Sequence, residues 1–544
     1  MKKGTKITLI VLAVLFALLA AAFICADVIV SRLVHAEVAK AMEAAPGCEA
    51  SCGDIHIRFF SGTVSVYDLA FSYRAPDAAE AHHMAPGVTM HVDRVDVGRI
   101  FYSALLKDRV LIHALRIKNP QVELWLDEKH PELSFPQMHD EHMDTIQNPF
   151  KSAKLLSLAI KSADFKLHSV RTHLDLDVED CSLTIHDLAY DSTFHYNDSV
   201  YSFELGKASV IIPDGSMLIE TSELSQSNQG PLEIGPTHIG NTMPRKKLGD
   251  LLKEPVTWMD MHIASVKTSA FNPLHKAMNK DFTLDHITAQ VAKMDVFRDE
   301  RYAPKNPFPM PQEVLMAIPM VFKINHVDAG IDKIDIEFAS TNINCGELHL
   351  GGIKAQVNNV SNARNSTMTV SGGCPVGDGK AKVNMTMTMN KDCDFSLGLH
   401  GEKVDLGFMN PFLRPLVGIT FKLDLDTIDT HYKGNREKAT GSFRMLYHGL
   451  EVKVHGEDNI PYKIVTKNAG SFTTMANTLI PKSNPTAVDI HPRAYQVEWK
   501  RNEWKPFPLY LFGPCIDGAM ETLLPGLFVH KQISNKKYVN IKDY

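Results

Sequence analysis

Over much of the chain apolar and polar residues alternate singly, the period of an extended strand with one dry and one wet face. Val64 and Val66 alternate with Ser65 and Tyr67, and Val88, Met90 and Val92 with Thr89 and His91. Met385, Met387 and Met389 alternate with Thr386 and Thr388, and Phe421, Leu423 and Leu425 with Lys422, Asp424 and Asp426. No regular strand–helix rhythm accompanies these runs, so they predict a mainly β protein and argue against a parallel α/β sheet. Short helices are predicted at Arg245–Lys253, Asn272–Met278 and Gln312–Ala317. The prolines between Pro304 and Pro311 mark a break, placing a boundary between β regions 47–305 and 306–460.

The first residues follow a different rule. Lys2, Lys3 and Lys6 precede Ile7–Ala26, which carries no charged residue. That is the length a helix needs to cross a hydrocarbon core of about 30 Å. Residues 1–30 are therefore predicted as a transmembrane anchor, with the lysines on the cytoplasmic side and the body outside the cytoplasm. The competing reading is a cleaved signal peptide with Ala20 and Ala22 at the cleavage site, although such peptides have a shorter apolar core. A connecting helix is predicted over 31–46. Val34, Val38, Ala41 and Met42 fall on one of its faces, and Pro46-Gly47 ends it.

At 544 residues the chain exceeds one ordinary core and predicts several domains or a repeat array. Met90-His91-Val92 resembles Met261-His262-Ile263, and the run Val66–Phe71 resembles Ile185–Tyr190. These echoes favour stacked, similar β units. A formal net charge of −6, with no basic block, excludes nucleic acid as an expected partner. Of eight cysteines, Cys48 and Cys52 either close a small disulfide loop or remain free thiols, and no second pair at metal spacing follows. Histidines such as His56 and His91 sit between apolar residues and read as wet-face positions, as do Asp424 and Asp426. No Gly-x-Ser-x-Gly, phosphate loop or zincin helix is present, so no enzyme, cofactor or metal is expected. The apolar alternation itself supplies the candidate site. Val64, Val66, Met385, Met387, Phe421 and Leu423 are the expected lining positions of an apolar face, with ordinary core packing the alternative for the methionines.

The order of these pieces resembles the AsmA-like family of bacterial envelope proteins, which includes the longer TamB-type proteins. The likeness lies in the anchor and following helix, then Gly62-Thr63-Val64-Ser65-Val66-Tyr67-Asp68-Leu69, Leu105-Leu106, and Ile112–Pro120 before Gln121-Val122-Glu123-Leu124. Leu406–Pro415, Gly434-Asn435 and Ala439–Tyr447 resemble the family's C-terminal region, leaving 461–544 as a capping region. The resemblance implies an elongated antiparallel β-sheet folded into a groove with an apolar inside. It further implies a single-pass inner-membrane protein with a periplasmic body, and a role in lipid transport or outer-membrane maintenance. The implied partners are a phospholipid or other envelope lipid, the inner membrane and an outer-membrane protein. A periplasmic scaffold for outer-membrane protein assembly, carrying no lipid, is the alternative.

Overall fold

The computed structural model describes residues 48–75, 85–105, 107–127, 152–170, 174–190, 200–212, 216–228, 230–272, 282–339, 345–456, 468–488 and 490–523, with 172, 194–195 and 276 besides. The expected anchor (1–30) and connecting helix (31–46) lie outside these residues. Among the described residues no helix is long and apolar enough to cross a membrane. The chain divides into two compact units, one through Ile234 and one from Gly235, and both are mainly β.

The first unit contains β1 (Cys48–Ser51), β2 (Ile55–Arg58), β3 (Thr63–Arg74), β4 (Gly87–Val97), β5 (Arg109–Ile112), β6 (Leu115–Leu126), β7 (Ser152–Ser169), β8 (Asp175–Tyr190), β9 (Phe194–His195), β10 (Val200–Ile211), β11 (Met217–Thr221), β12 (Leu224–Ser227) and β13 (Glu233–Ile234). The second contains β14 (Thr237–Asn241), β15 (Val256–Thr268), β16 (Phe282–Asp299), β17 (Phe322–Ala339), β18 (Cys345–Ser361), β19 (Thr367–Val376), β20 (Gly379–Thr388), β21 (Phe395–Glu402), β22 (Ile419–Gly434), β23 (Lys438–Val454) and β24 (Ala494–Lys500). Two predicted helices are found within a residue of their expected bounds, at Arg245–Leu252 and Pro311–Met316. The third, Asn272–Met278, falls mostly outside the described residues.

The sheets are mixed, which corrects the expectation of a wholly antiparallel one. β5 and β6 pair with β7 in parallel, and β16 pairs with β17 in parallel. A parallel pair needs a crossover of a dozen or more residues. The segments 127–151 and 300–321 both supply that length. The Pro304–Pro311 break is part of the second of these crossovers, inside the second unit.

In both units the ladder is interrupted along transverse rows. In the first, Asp68, Asp93 and Asn119 stand opposite one another without ladder pairing, with Ser162 and Asp180 continuing the line. Asp68, Asn119, Ser162 and Asp180 adopt left-handed φ of 50°, 47°, 50° and 52°. Short polar side chains tolerate that conformation, and such an irregularity re-aims the residues that follow. The apolar residues change parity across this row. In β3 they are Val64 and Val66 before it, and Leu69, Phe71 and Tyr73 after it. In β4 they are Val88, Met90 and Val92, then Val95 and Val97. One face thus stays apolar along the full strands. The second unit repeats the device at Asp285–Asn325–Asn359, where Asn359 has φ 57°, and at Asp332–Gly352, where Gly352 has φ 61°.

Candidate functional site

The ladder registers place apolar side chains in rows that run across the strands. In the first unit, Val66, Val95, Ile117, Ile160, Leu183 and Phe203 form one such row from β3 to β10. Its members are half-buried, and among the described residues both buried clusters lie in the second unit. Val64 and Val66 sit opposite Ile57 and Ile55 of β2 and belong to this face. A cleft of about 800 Å³ opens over β1, β3, β4 and β6, lined by Phe71, Met90 and Val122 together with His91, Gln121 and Glu123.

In the second unit one row joins Ile263, Val291, Ile331 and Ile353 across β15 to β18, and another joins Met261, Met294, Ile334 and Leu350. These residues are half-buried and belong to neither buried cluster. Further along, a row runs Val357, Val370, Met385, Leu397, Tyr432 through β18 to β22, and here the face is covered. The helix Phe507–Leu523 lies on it, contributing Tyr510 and Leu511 to one cluster, Ala519 and Leu523 to the other, and Cys515 to both. Its close approach depends on two glycines. A Cβ on Gly513 would stand 2.4 Å from the Trp499 ring, and one on Gly518 2.2 Å from Phe443 Cγ. The Tyr432 hydroxyl donates to the Leu511 carbonyl. Helix Asn410–Val417 covers part of β18 and β22, with Phe412 against Phe338 at 6.0 Å between ring centroids. The C-terminal region thus closes part of the apolar face, besides adding β24 to the edge of β23.

This geometry sorts the expected lining positions. Val64 and Val66 are half-buried, outside both buried clusters. Met387 is 4% exposed and Leu423 6%, each inside a buried cluster, while Met385 and Phe421 pack against those clusters. The four second-unit positions therefore line the filled part of the face. The half-open part is marked by Ile331, Ile353, Ile334 and Leu350, which the sequence reading did not single out.

The opposite face is polar, as the alternation requires. Asp424 and Asp426 are exposed and lie 3.5 and 3.4 Å from His448. His91 lies 3.4 Å from Asp93 on its own strand. His400 Nδ1 is 2.6 Å from Asp429 and its Nε2 3.0 Å from Glu402, and these carboxylates hold its pKa above the usual histidine value. Cys52 is unbonded, so it closes no disulfide loop with Cys48. In comparisons with known proteins the chain matches no family model and no curated protein.

Proposed function

We propose that the chain shields apolar molecules, most simply the acyl chains of a phospholipid or other envelope lipid, along the apolar face of its sheets. The observation that supports this reading is the set of half-buried rows of Ile, Val, Leu and Met across β15 to β18, outside both buried clusters and repeated from β3 to β10 in the first unit. Each acyl methylene taken out of water is favourable by about 0.8 kcal/mol, so about eight of them on such a face contribute about 6 kcal/mol. An anchored lipid carrier also accounts for the apolar Ile7–Ala26 segment and its preceding lysines, which would hold the body at the inner membrane and facing the periplasm. The resemblance to the AsmA-like family points the same way, including its lengthwise groove.

One observation favours the scaffold reading. Over β19 to β23 the face is filled by the protein's own helix, as expected if the sheet served only as a rigid spacer. Native mass spectrometry of the detergent-extracted full chain, combined with a photocrosslinker at Ile331 or Leu350, separates the two. The lipid reading expects co-purified phospholipid and crosslinks from these positions, with little from Lys354 or Gln356 on the other face. No bound lipid, and equally poor crosslinking from both faces, would leave the scaffold reading in place.

A further inference from the structure

The polar face of the second unit carries two side-chain clusters of one construction. In the first, His286 of β16 and His326 of β17 are cross-strand partners with ring centroids 5.0 Å apart. Asp328 follows two residues after His326 and so projects from the same face. Its Oδ2 is 2.9 Å from His286 Nε2 and its Oδ1 3.1 Å from His326 Nε2. In the second, His238 of β14 and His262 of β15 are cross-strand partners with stacked rings 4.8 Å apart. Asp260, two residues before His262, places Oδ1 2.6 Å from His238 Nε2 and 3.5 Å from His262 Nε2. Within each cluster the three ligand-type atoms lie within 4.8 Å of one another.

We propose that the clusters His286–His326–Asp328 and His238–His262–Asp260 each bind a divalent transition-metal ion of the Zn²⁺ type. Two imidazoles and a carboxylate suit such an ion, whereas Ca²⁺ and Mg²⁺ prefer oxygen ligands throughout. Zinc bonds of about 2.0–2.2 Å in a tetrahedron put neighbouring ligand atoms about 3.3 Å apart. The 2.9 and 3.1 Å carboxylate–imidazole contacts of the first cluster are within a few tenths of an ångström of that spacing, and rotation of the side chains closes what remains of the 4.8 Å that bounds all three ligand atoms. The ligands rise from paired strands, whose hydrogen-bonded ladder fixes their spacing.

The first cluster also has supporting partners on β18. His326 Nδ1 lies 2.6 Å from Asn358 Oδ1 and donates to it, leaving Nε2 as the lone-pair nitrogen of the neutral ring. Gln356 Nε2 donates to Asp328 Oδ1 at 3.0 Å and orients the carboxylate. Binding displaces any proton held between Nε2 and the carboxylate, and that proton leaves to solvent. Three protein ligands leave one position for water or for a ligand from a partner. Each ion would clip two neighbouring strands, β16 to β17 and β14 to β15.

The test uses the full chain in detergent, stripped with a chelator, loaded with Zn²⁺ and freed of excess by gel filtration before the metal is counted. Wild-type protein should retain two equivalents, one per cluster. His286→Ala/His326→Ala and His238→Ala/His262→Ala should each lose one, and His400→Gln, outside both clusters, should lose none. Because the chain has 25 histidines, this site-by-site loss is the measurement that matters. Asp328→Asn preserves the side-chain shape and should lose the first equivalent with an unchanged far-UV circular dichroism spectrum. Zn²⁺ should raise the Tm of wild type and leave that of the fourfold His→Ala variant unmoved. Wild-type protein that retains no zinc, or double variants that retain as much as wild type, would overturn the proposal and leave both clusters as ordinary hydrogen-bonded ladders.

Discussion

A single charge placed at two points on the second unit's apolar face measures how far that face is open. Met387 is 4% exposed and packed with Phe395, Leu397 and Tyr432. Met387→Glu loses the packing of a buried methionine, about 2–5 kcal/mol when such a side chain is truncated. It also strands a carboxylate with no partner, adding at least about 2 kcal/mol. The sum approaches the 5–15 kcal/mol that stabilises an ordinary domain. Ile331 occupies an equivalent position in the alternation, opposite Val291 and Ile353, but is only partly buried and lies outside both clusters. A glutamate there keeps its carboxylate at the solvent edge and forfeits most of an isoleucine's burial, about 1–2.5 kcal/mol. Urea unfolding followed by tryptophan fluorescence should therefore find Ile331→Glu more stable than Met387→Glu by about 2 kcal/mol or more. Lipid crosslinking from Leu350, in the neighbouring row, should fall sharply in Ile331→Glu, since a charge beside an acyl chain has no partner. Two results would refute the reasoning. Equal destabilisation of both variants would mean that Ile331 is core, and wild-type crosslinking in a folded Ile331→Glu would mean that lipid does not use this face.

Three further outcomes follow from individual residues. Gly518→Val should lower stability by about 1–3 kcal/mol in urea, because Phe443 is fully buried and has no room to retreat from a new Cβ; an unchanged midpoint would contradict the close helix–sheet approach. His400 should stabilise the fold fully below the ordinary histidine pKa of about 6.5, with that contribution lost as pH rises through its raised folded value, since Asp429 and Glu402 favour the charged ring. His400→Gln should remove that pH dependence, and an identical stability–pH profile for both proteins would count against the pairing. Asp180→Val should cost more than about 1 kcal/mol at φ 52°, while Asp180→Gly is near neutral, as read by thermal unfolding.

The alternation made the strands legible but hid their length. Val64 to Val66 and Val88 to Val92 read correctly as parts of β3 and β4. The rows at Asp68–Asp93 and Asn119 then reverse the parity, so that a strand such as β6 reads as two short runs instead of one. The parallel pairing of β6 with β7 was not legible, because it depends on where a long crossover returns the chain. Met387 and Ile331 show the second limit. Alternation tells which residues share a face, whereas the cover over Met387 comes from Tyr510 and Leu511, more than a hundred residues later in the chain. The His–His–Asp clusters were half visible, as Asp260-Met261-His262 and His326-Val327-Asp328. Their partners His238 and His286 join only through strand register.

The helix that fills part of the face does not end the apolar surface. Phe507–Leu523 buries Tyr510, Cys515 and Ala519 against the sheet, yet Leu509, Phe512, Ile516 and Met520 remain exposed along its other side. Their spacing of three and four residues puts them on one stripe of the helix. A helix serving only as a lid on a water-facing spacer would be polar on that stripe, as surface helices generally are. An apolar outer stripe, like the half-buried rows of Ile and Val on β15 to β18, instead suits a surface that meets an apolar partner. Both features depend on packing within the second unit alone. The balance between carrier and scaffold therefore turns on the half-open rows at β15 to β18, where the protein's own helix leaves apolar side chains in contact with solvent.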